Sequence, residues 1–417
     1  MFIFTAFPLN VNTHWKDSQT KMKIKILHDK VKEVFFEGQF LKTNEPIDVT
    51  FSQALRLTRH MQIEAVHTRV PYNPKLFKKD KKFNFMSDID LTSGWGNASY
   101  HLLKNSSKYD ISLFGKLNGV KDPYIIGLAN KDILQDGAMV WHDQPRDMWT
   151  KSPFKKNIAI IPFETTLVPQ SWIPRINHFD ALFTISDQNV KMFQDSGVKI
   201  PIEKIHWGIE KERYPYIERG NNTFTFGTHG ALSKRKGTDL LVKAFELAFP
   251  HNENVRLICK TSFYHYPFMS KDRRIKVIAG ERTDKEMQEE FFSQIDVGVY
   301  PARGEGFGFC GAESLSTGVP IIMTGWGGMM EYYNPECCMK LDYTLVPAED
   351  FSKNVYKEDC GMWAEPSLPH LVELLRYAYE NQDTMRVKGR IGSKFIQENW
   401  SWQDKVPMFH NALEKYL

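Results

Sequence analysis

Short apolar runs recur along the chain from about residue 83 onward, at Phe83–Met86, Ile111–Phe114, Ala138–Trp141, Ile158–Pro162 and Ala181–Ile185. Each has the length of a buried strand, and polar loops or amphipathic segments separate several of them. The second half repeats the theme at Thr223–Gly227, Val255–Lys260, Ile275–Ile278, Val297–Tyr300 and Val319–Thr324. Between the first two of these, Leu240, Leu241, Ala244, Phe245, Ala248 and Phe249 recur at helical spacing, so one apolar helix face packs on the sheet. Thr283 followed by Glu286 reads as a capping box that starts the next helix. Strands alternating with helices predict parallel α/β sheets. The pattern therefore predicts an α/β chain of two Rossmann-like halves, with the polar stretch Lys211–Asn222 as linker.

Residues 1–80 lack this clarity. They are rich in Lys, and Phe51–Ala65 is expected to form one amphipathic helix. They are assigned as an extension, part of or packed on an amino-terminal domain of residues 81–212; a carboxy-terminal domain of residues 213–398 and a final segment, 399–417, follow. The run Lys75–Lys82 reads first as a solvated loop; contact with an anionic acceptor or a membrane surface is the sharper reading. The longest apolar stretches are strand-sized, so no transmembrane segment is expected. The first residues lack a basic leader, so no signal peptide is assigned.

Composition narrows the class little. The 417 residues suit two domains, and the apolar (42%) and charged (25%) fractions are those of an ordinary globular protein. A net charge of +4 suits anionic ligands and is too weak to argue for nucleic acid. The five cysteines, Cys259, Cys310, Cys337, Cys338 and Cys360, form no C-x-x-C, and no His pair has metal-ligand spacing. Reduced thiols, a cytoplasmic setting and no metal site are the expectations.

The chemistry concentrates in two segments. In Arg303–Thr324, Gly304, Gly306 and Gly308 let backbone amides approach a ligand, and the following helix presents its positive end to the same point. Glu305 in the loop and Glu313 in the helix can face one cleft and accept hydrogen bonds from sugar and ribose hydroxyls. A helix-dipole carboxylate and a solvated helix face are the bland alternatives. The second segment, Thr228–Thr238, carries Lys234, Arg235 and Lys236 before Gly237 at a strand-to-helix junction. Such a cluster at the carboxyl end of a parallel strand suits a diphosphate.

These motifs resemble the retaining GT-B glycosyltransferases of the glycogen synthase and bacterial mannosyltransferase type, the glycosyl transferases of group 1. The resemblance covers roughly residues 83–417 and rests on Glu305 and Glu313 with seven residues between, the upstream Lys236-Gly237, and the downstream Gly327-Gly328 with Glu331. Trp363-Ala364-Glu365-Pro366 and Trp400-Ser401-Trp402 add to it. It implies two Rossmann-like domains facing a cleft, with a last helix that crosses back to the amino domain. It also implies that Lys236 binds a donor diphosphate, Glu313 the ribose and Glu305 the transferred sugar. Amides of Phe307 and Gly308 would contact sugar or phosphate, with Gly306 beside them, and the loop around Gly280–Thr283 would line the nucleobase. In the amino half, Asp88–Ser99 resembles a glycine loop that closes on the donor through Gly94 and Gly96. Glu164 stands where many relatives carry a histidine near the anomeric carbon, and His142 is a second catalytic candidate or a structural histidine. One departure is Gly230, where relatives often carry an arginine; Lys234, Arg235 or Arg303 would then supply the missing charge.

By that resemblance the reaction moves a sugar from a nucleoside-diphosphate sugar to an acceptor hydroxyl with retention, without metal or other cofactor. Acceptors in view are a glycan, a lipid, a protein or a hydroxylated DNA base, at a site in the cytoplasm or peripheral to a membrane. Two rival readings compete with it. A nicotinamide-dependent oxidoreductase needs an acidic residue ending the strand after the glycine turn, and that strand ends at Thr324-Gly325. A catalytically silent binding protein is supported by Gly230 and opposed by the retention of Lys236, Glu305 and Glu313.

Overall fold

The computed structural model describes residues 81–417 apart from 146–153, 155, 221, 252 and 263–269, together with the backbone of five strands among the first eighty. Those five are Lys21–Leu27, Glu33–Phe36, Gln39–Lys42, Pro46–Thr50 and Gln62–His67. Lys21–Leu27 lies antiparallel between Pro46–Thr50 and Gln62–His67, and the other two strands pair as a hairpin. The helix expected over Phe51–Ala65 is therefore corrected at its end: Gln62–Ala65 belong to a strand, and residues 51–61 lie outside the described residues. Of the Lys75–Lys82 run, 75–80 also lie outside, and Lys82 opens a strand.

The amino-terminal body is a six-stranded parallel sheet in the order Ile202–Lys204, Ala181–Thr184, Asn157–Ile160, Ala138–His142, Lys82–Met86, Asp110–Phe114. The carboxy-terminal body is a second such sheet, ordered Ile275–Ile278, Val255–Lys260, Phe224–His229, Val297–Tyr300, Ile321–Thr324, Cys338–Leu341. Apart from the edge strands Ile202–Lys204 and Ile275–Ile278, the strands are almost wholly buried, as expected of parallel sheets covered on both faces. The second order is that of a Rossmann fold, whose direction of winding reverses between Phe224–His229 and Val297–Tyr300. Open α/β sheets bind ligands outside the carboxyl ends of the strands at that reversal.

Helices follow the predicted faces. Thr238–Ala248 buries Leu241, Ala244, Phe245 and Ala248 against its sheet. Thr283 caps the short helix Asp284–Met287 with the reciprocal Glu286 bond that the sequence signalled. The last helix, Trp402–Leu413, opens on a Ser401–Asp404 capping box and crosses to the amino body. There Phe409 packs on Phe83 and Phe183, and Ser106 Oγ lies 2.8 Å from His410 Nε2. Glu414 accepts from Tyr109 at 2.7 Å and pairs with Lys81 and Lys108.

A second tie joins the bodies. The hairpin of Tyr343–Pro347 and Met362–Pro366 carries a loop onto the amino body, where Thr166 N donates to Met362 O and Leu167 N to Cys360 O. Phe351 and Tyr356 from that loop pack on Phe163. Glu331 Oε1 accepts from the amide of Asp187, and Oε2 pairs with Lys204 at 3.3 Å.

Candidate active site

The strand Phe224–His229 ends at the winding reversal, and a turn then delivers Lys236 to the cleft. That turn depends on Gly237, which has φ +71° and whose missing Cβ leaves room for the carbonyl of Pro301. The neighbouring strand, Val297–Tyr300, leads into the loop bearing Glu305. Lys236 Nζ lies 2.6 Å from Glu305 Oε1, and Arg235 reaches the same oxygen at 3.3 Å. Burial pushes the Glu305 carboxyl up, but the two cations outweigh it and hold the group below the usual carboxylate range.

Glu313 sits farther along, in the helix Phe309–Ser316. Its Oε2 lies 2.9 Å from His229 Nε2, and Tyr300 OH lies 2.8 Å from His229 Nδ1 and 2.6 Å from Ser314 Oγ. Burial also acts against this carboxylate, and the His229 contact, with Arg213 and Tyr214 nearby, holds it low. The structure thus gathers Lys236, Glu305 and Cys310 with His229, Thr228 and Met329 around one narrow pocket.

The amino body supplies the opposite wall. Gly304 presses its backbone against Glu164, and a Cβ at Gly306 would lie 3.1 Å from Pro162. Glu164 Oε1 is 3.9 Å from Arg235, and burial raises its carboxyl despite that cation. Gly308 caps the helix that carries Glu313, and Phe307 is buried among Trp207, Tyr332 and Trp400.

Other expected residues are placed differently. Arg303 turns into the protein: all five of its N–H donors are engaged, by Glu365, Asp239 and the carbonyl of Lys234. Gly94 and Gly96 fall in the first turn of the helix Gly94–Lys104, capped by Ser93, with Gly94 against the ring of Phe309. The segment is a helix start where a glycine loop was expected. Thr283 spends its hydroxyl on Glu286 and does not line the pocket. His142 is buried, bonds Ser99 through Nδ1 at 2.7 Å and stacks on Trp95, while its Nε2 has no partner. Burial lowers its pKa to about 3, so it is neutral at physiological pH.

Sequence reasoning missed His229, Cys310 and Tyr214. His229 directly precedes the anomalous Gly230, and Cys310 lies between the two glutamates, so position gave a signal that residue type did not. Lys260 was missed too: buried, it ties the loop after Ile278 by donating to Thr261 O and Gly280 O.

Residues 223–357 match the family described as Glycosyl transferases group 1. Over 228 residues the chain is 25% identical to the capsular polysaccharide biosynthesis glycosyltransferase CapM of Staphylococcus aureus, covering 52% of this chain and 53% of CapM. The match thus spans about half the length of that curated relative. Among solved structures, HepE of Anabaena, determined with UDP and glucose, has a TM-score of 0.56 at 12% identity, covering 80% of this chain and 99% of HepE. Sucrose-phosphate synthase of Thermosynechococcus elongatus gives 0.58 at 11%, covering 80% and 98%. A glycosyltransferase from Rickettsia africae gives 0.58 at 12%, covering 81% and 99%. These likenesses, with the two parallel sheets, establish the GT-B fold.

Proposed function

We propose that this GT-B chain, with its group 1 glycosyl transferase segment over residues 223–357, moves a sugar from a nucleoside-diphosphate sugar to an acceptor hydroxyl. The observation that carries the reading is that Lys236 meets Glu305, and His229 meets Glu313, beside the point where the carboxy-terminal sheet reverses its winding. HepE, with UDP and glucose in its structure, makes a UDP-sugar the first donor to try.

In this account Lys236 exchanges part of its contact with Glu305 for the donor diphosphate. The N-terminal end of the helix Phe309–Ser316, with the amides of Phe307 and Gly308, faces the same phosphates. Charge that develops on the leaving diphosphate then meets fixed cations and amides, so the reaction has no requirement for a metal ion. Glu305, kept ionised by its cations, accepts hydrogen bonds from the transferred sugar, and Glu313 accepts them from the ribose. Glu164, across the cleft from Glu305, stands beside the anomeric carbon. Its raised pKa suits a carboxyl that exchanges a proton with the acceptor during same-face displacement.

The test is donor turnover. The purified chain is incubated with UDP-, GDP- and ADP-linked sugars, and nucleoside diphosphate release and the anomer formed are followed by proton NMR. Slow release from one donor class, with retained configuration and no loss of rate in EDTA, is the expected result. An inverted product refutes retention, and loss in EDTA refutes metal independence. No release and no donor binding favour the silent binding protein that Gly230 suggests.

A further inference from the structure

We infer that His229, Cys310 and Glu313 form a binding site for a single zinc ion on the wall of the donor pocket. The candidate ligand atoms, an imidazole nitrogen, Cys310 Sγ and a Glu313 carboxylate oxygen, all lie within 4.8 Å of one another. Among the described residues this is the one such cluster found. Nitrogen, thiolate and carboxylate are the three donor types zinc takes, and three protein ligands with one open position is a recurrent zinc arrangement.

The local structure builds the site from two elements. His229 ends the strand Phe224–His229, while Cys310 and Glu313 stand three residues apart on the helix Phe309–Ser316 and so share a face. The Tyr300 hydroxyl holds His229 Nδ1 at 2.8 Å and is itself held by Ser314 at 2.6 Å, which points Nε2 at Glu313. Zinc-bound histidines have such an outer partner, which fixes ring and tautomer. Cys310 is half-buried and lines the pocket, whereas Cys259, Cys337, Cys338 and Cys360 are buried.

Gly230 contributes directly. A Cβ there would lie 3.2 Å from Cys310 Sγ, so a larger side chain would crowd the space beside the thiol. The glycine found where an arginine was expected thus keeps the sulfur open to His229. Zinc bonds of about 2.0–2.3 Å place tetrahedral ligand atoms about 3.3–3.8 Å apart, so the widest pair must close by about 1 Å. Rotation of the Cys310 side chain provides that range. His229 and Cys310 line the same pocket as Lys236 and Glu305.

Zinc at this site withdraws Glu313 from any other ligand. Where Glu313 also holds the ribose, a consequence that rests on the proposed function, zinc and donor exclude each other and zinc inhibits.

The experiment uses the full chain, dialysed against chelator and titrated with cobalt(II). One equivalent is expected to give tetrahedral visible bands and a near-ultraviolet thiolate-to-cobalt band, and zinc(II) should displace it. Cys310→Ser should lose the thiolate band and bind zinc at least about 10-fold more weakly, and Tyr300→Phe should weaken zinc by about 10- to 100-fold with all three ligands kept. Absence of the thiolate band, or unchanged zinc affinity in Cys310→Ser, overturns the site. If that variant fails to fold, alkylation of Cys310 by iodoacetamide in the wild type decides: one equivalent of zinc must slow it, and no protection overturns the site. UDP competition separates the two readings. Zinc bound with these signatures but indifferent to UDP leaves the metal site standing and refutes the placement of ribose at Glu313. UDP binding without zinc binding does the reverse.

Discussion

Replacing Arg303 with methionine separates the structural role its ion pairs give it from the donor-binding role expected of it. The substitution keeps much of the side-chain length and removes the charge. Arg303 is 3% exposed, and its guanidinium holds Glu365 at 2.6 and 2.8 Å and Asp239 at 2.8 and 2.9 Å. Removing one partner of a buried ion pair costs about 3–5 kcal/mol, because the remaining charge stays buried without compensation. Here the carboxylates keep some water, with side chains 28% and 34% exposed, which places the loss near the lower end, about 3 kcal/mol. At about 2–4 °C per kcal/mol for a domain of this size, the melting temperature should fall by roughly 6–12 °C. Urea unfolding followed by circular dichroism measures the loss, and calorimetric titration of the folded variant with UDP measures the site. The triple change Arg303→Met, Asp239→Asn, Glu365→Gln should recover most of the stability, since it removes the stranded charges. An Arg303→Met protein of unchanged stability that had lost UDP affinity 10-fold or more would refute the reasoning and return Arg303 to the donor site.

Other consequences are equally direct. Lys236→Met should weaken UDP by roughly 10- to 150-fold, the worth of a charged hydrogen bond of about 1.5–3 kcal/mol, and a titration showing less than about 3-fold would contradict its role. Gly237→Ala places a Cβ against the Pro301 carbonyl at a φ of +71°, and should cost at least about 1–3 kcal/mol in urea unfolding; wild-type stability would contradict the turn described here. Burial lowers the pKa of His101 and His142 to about 3 and of His410 to about 4. The unfolded chain protonates these rings near 6.5 while the folded chain resists, so their contribution is intact above pH 6.5 and drains away below it. The three together should steepen the loss by up to roughly 4 kcal/mol per pH unit between pH 6 and 4.5; a flat unfolding free energy over that range would contradict their burial as neutral rings.

Much of the fold was legible because parallel strands buried on both faces leave continuous apolar runs, and the amphipathic face of Thr238–Ala248 leaves a helical period. The first eighty residues were not. Gln62–Ala65 fit an amphipathic helix as well as a strand, and only pairing with Lys21–Leu27 decides between them. In the candidate site, Lys236, Glu305 and Glu313 stand out because glycines and charges crowd two junctions. Arg303 misleads for a reason that local sequence does not carry: Asp239 and Glu365, which saturate it, lie 64 and 62 residues away. His229 and Cys310 were passed over because each is unremarkable until the strand end and the helix start are brought together. Gly94 and Gly96 looked like a loop because two glycines so close rarely begin a helix, yet Ser93 caps one there.

The most direct test of the central claim is a thermal-shift screen of UDP-, GDP- and ADP-sugars against the wild type and Lys236→Ala. Binding to the folded state raises the melting temperature by mass action. The account predicts that one nucleotide class stabilises the wild type and leaves Lys236→Ala unmoved. If no nucleotide sugar stabilises the wild type, or if one stabilises both proteins equally, the pocket at the sheet reversal is not the donor site.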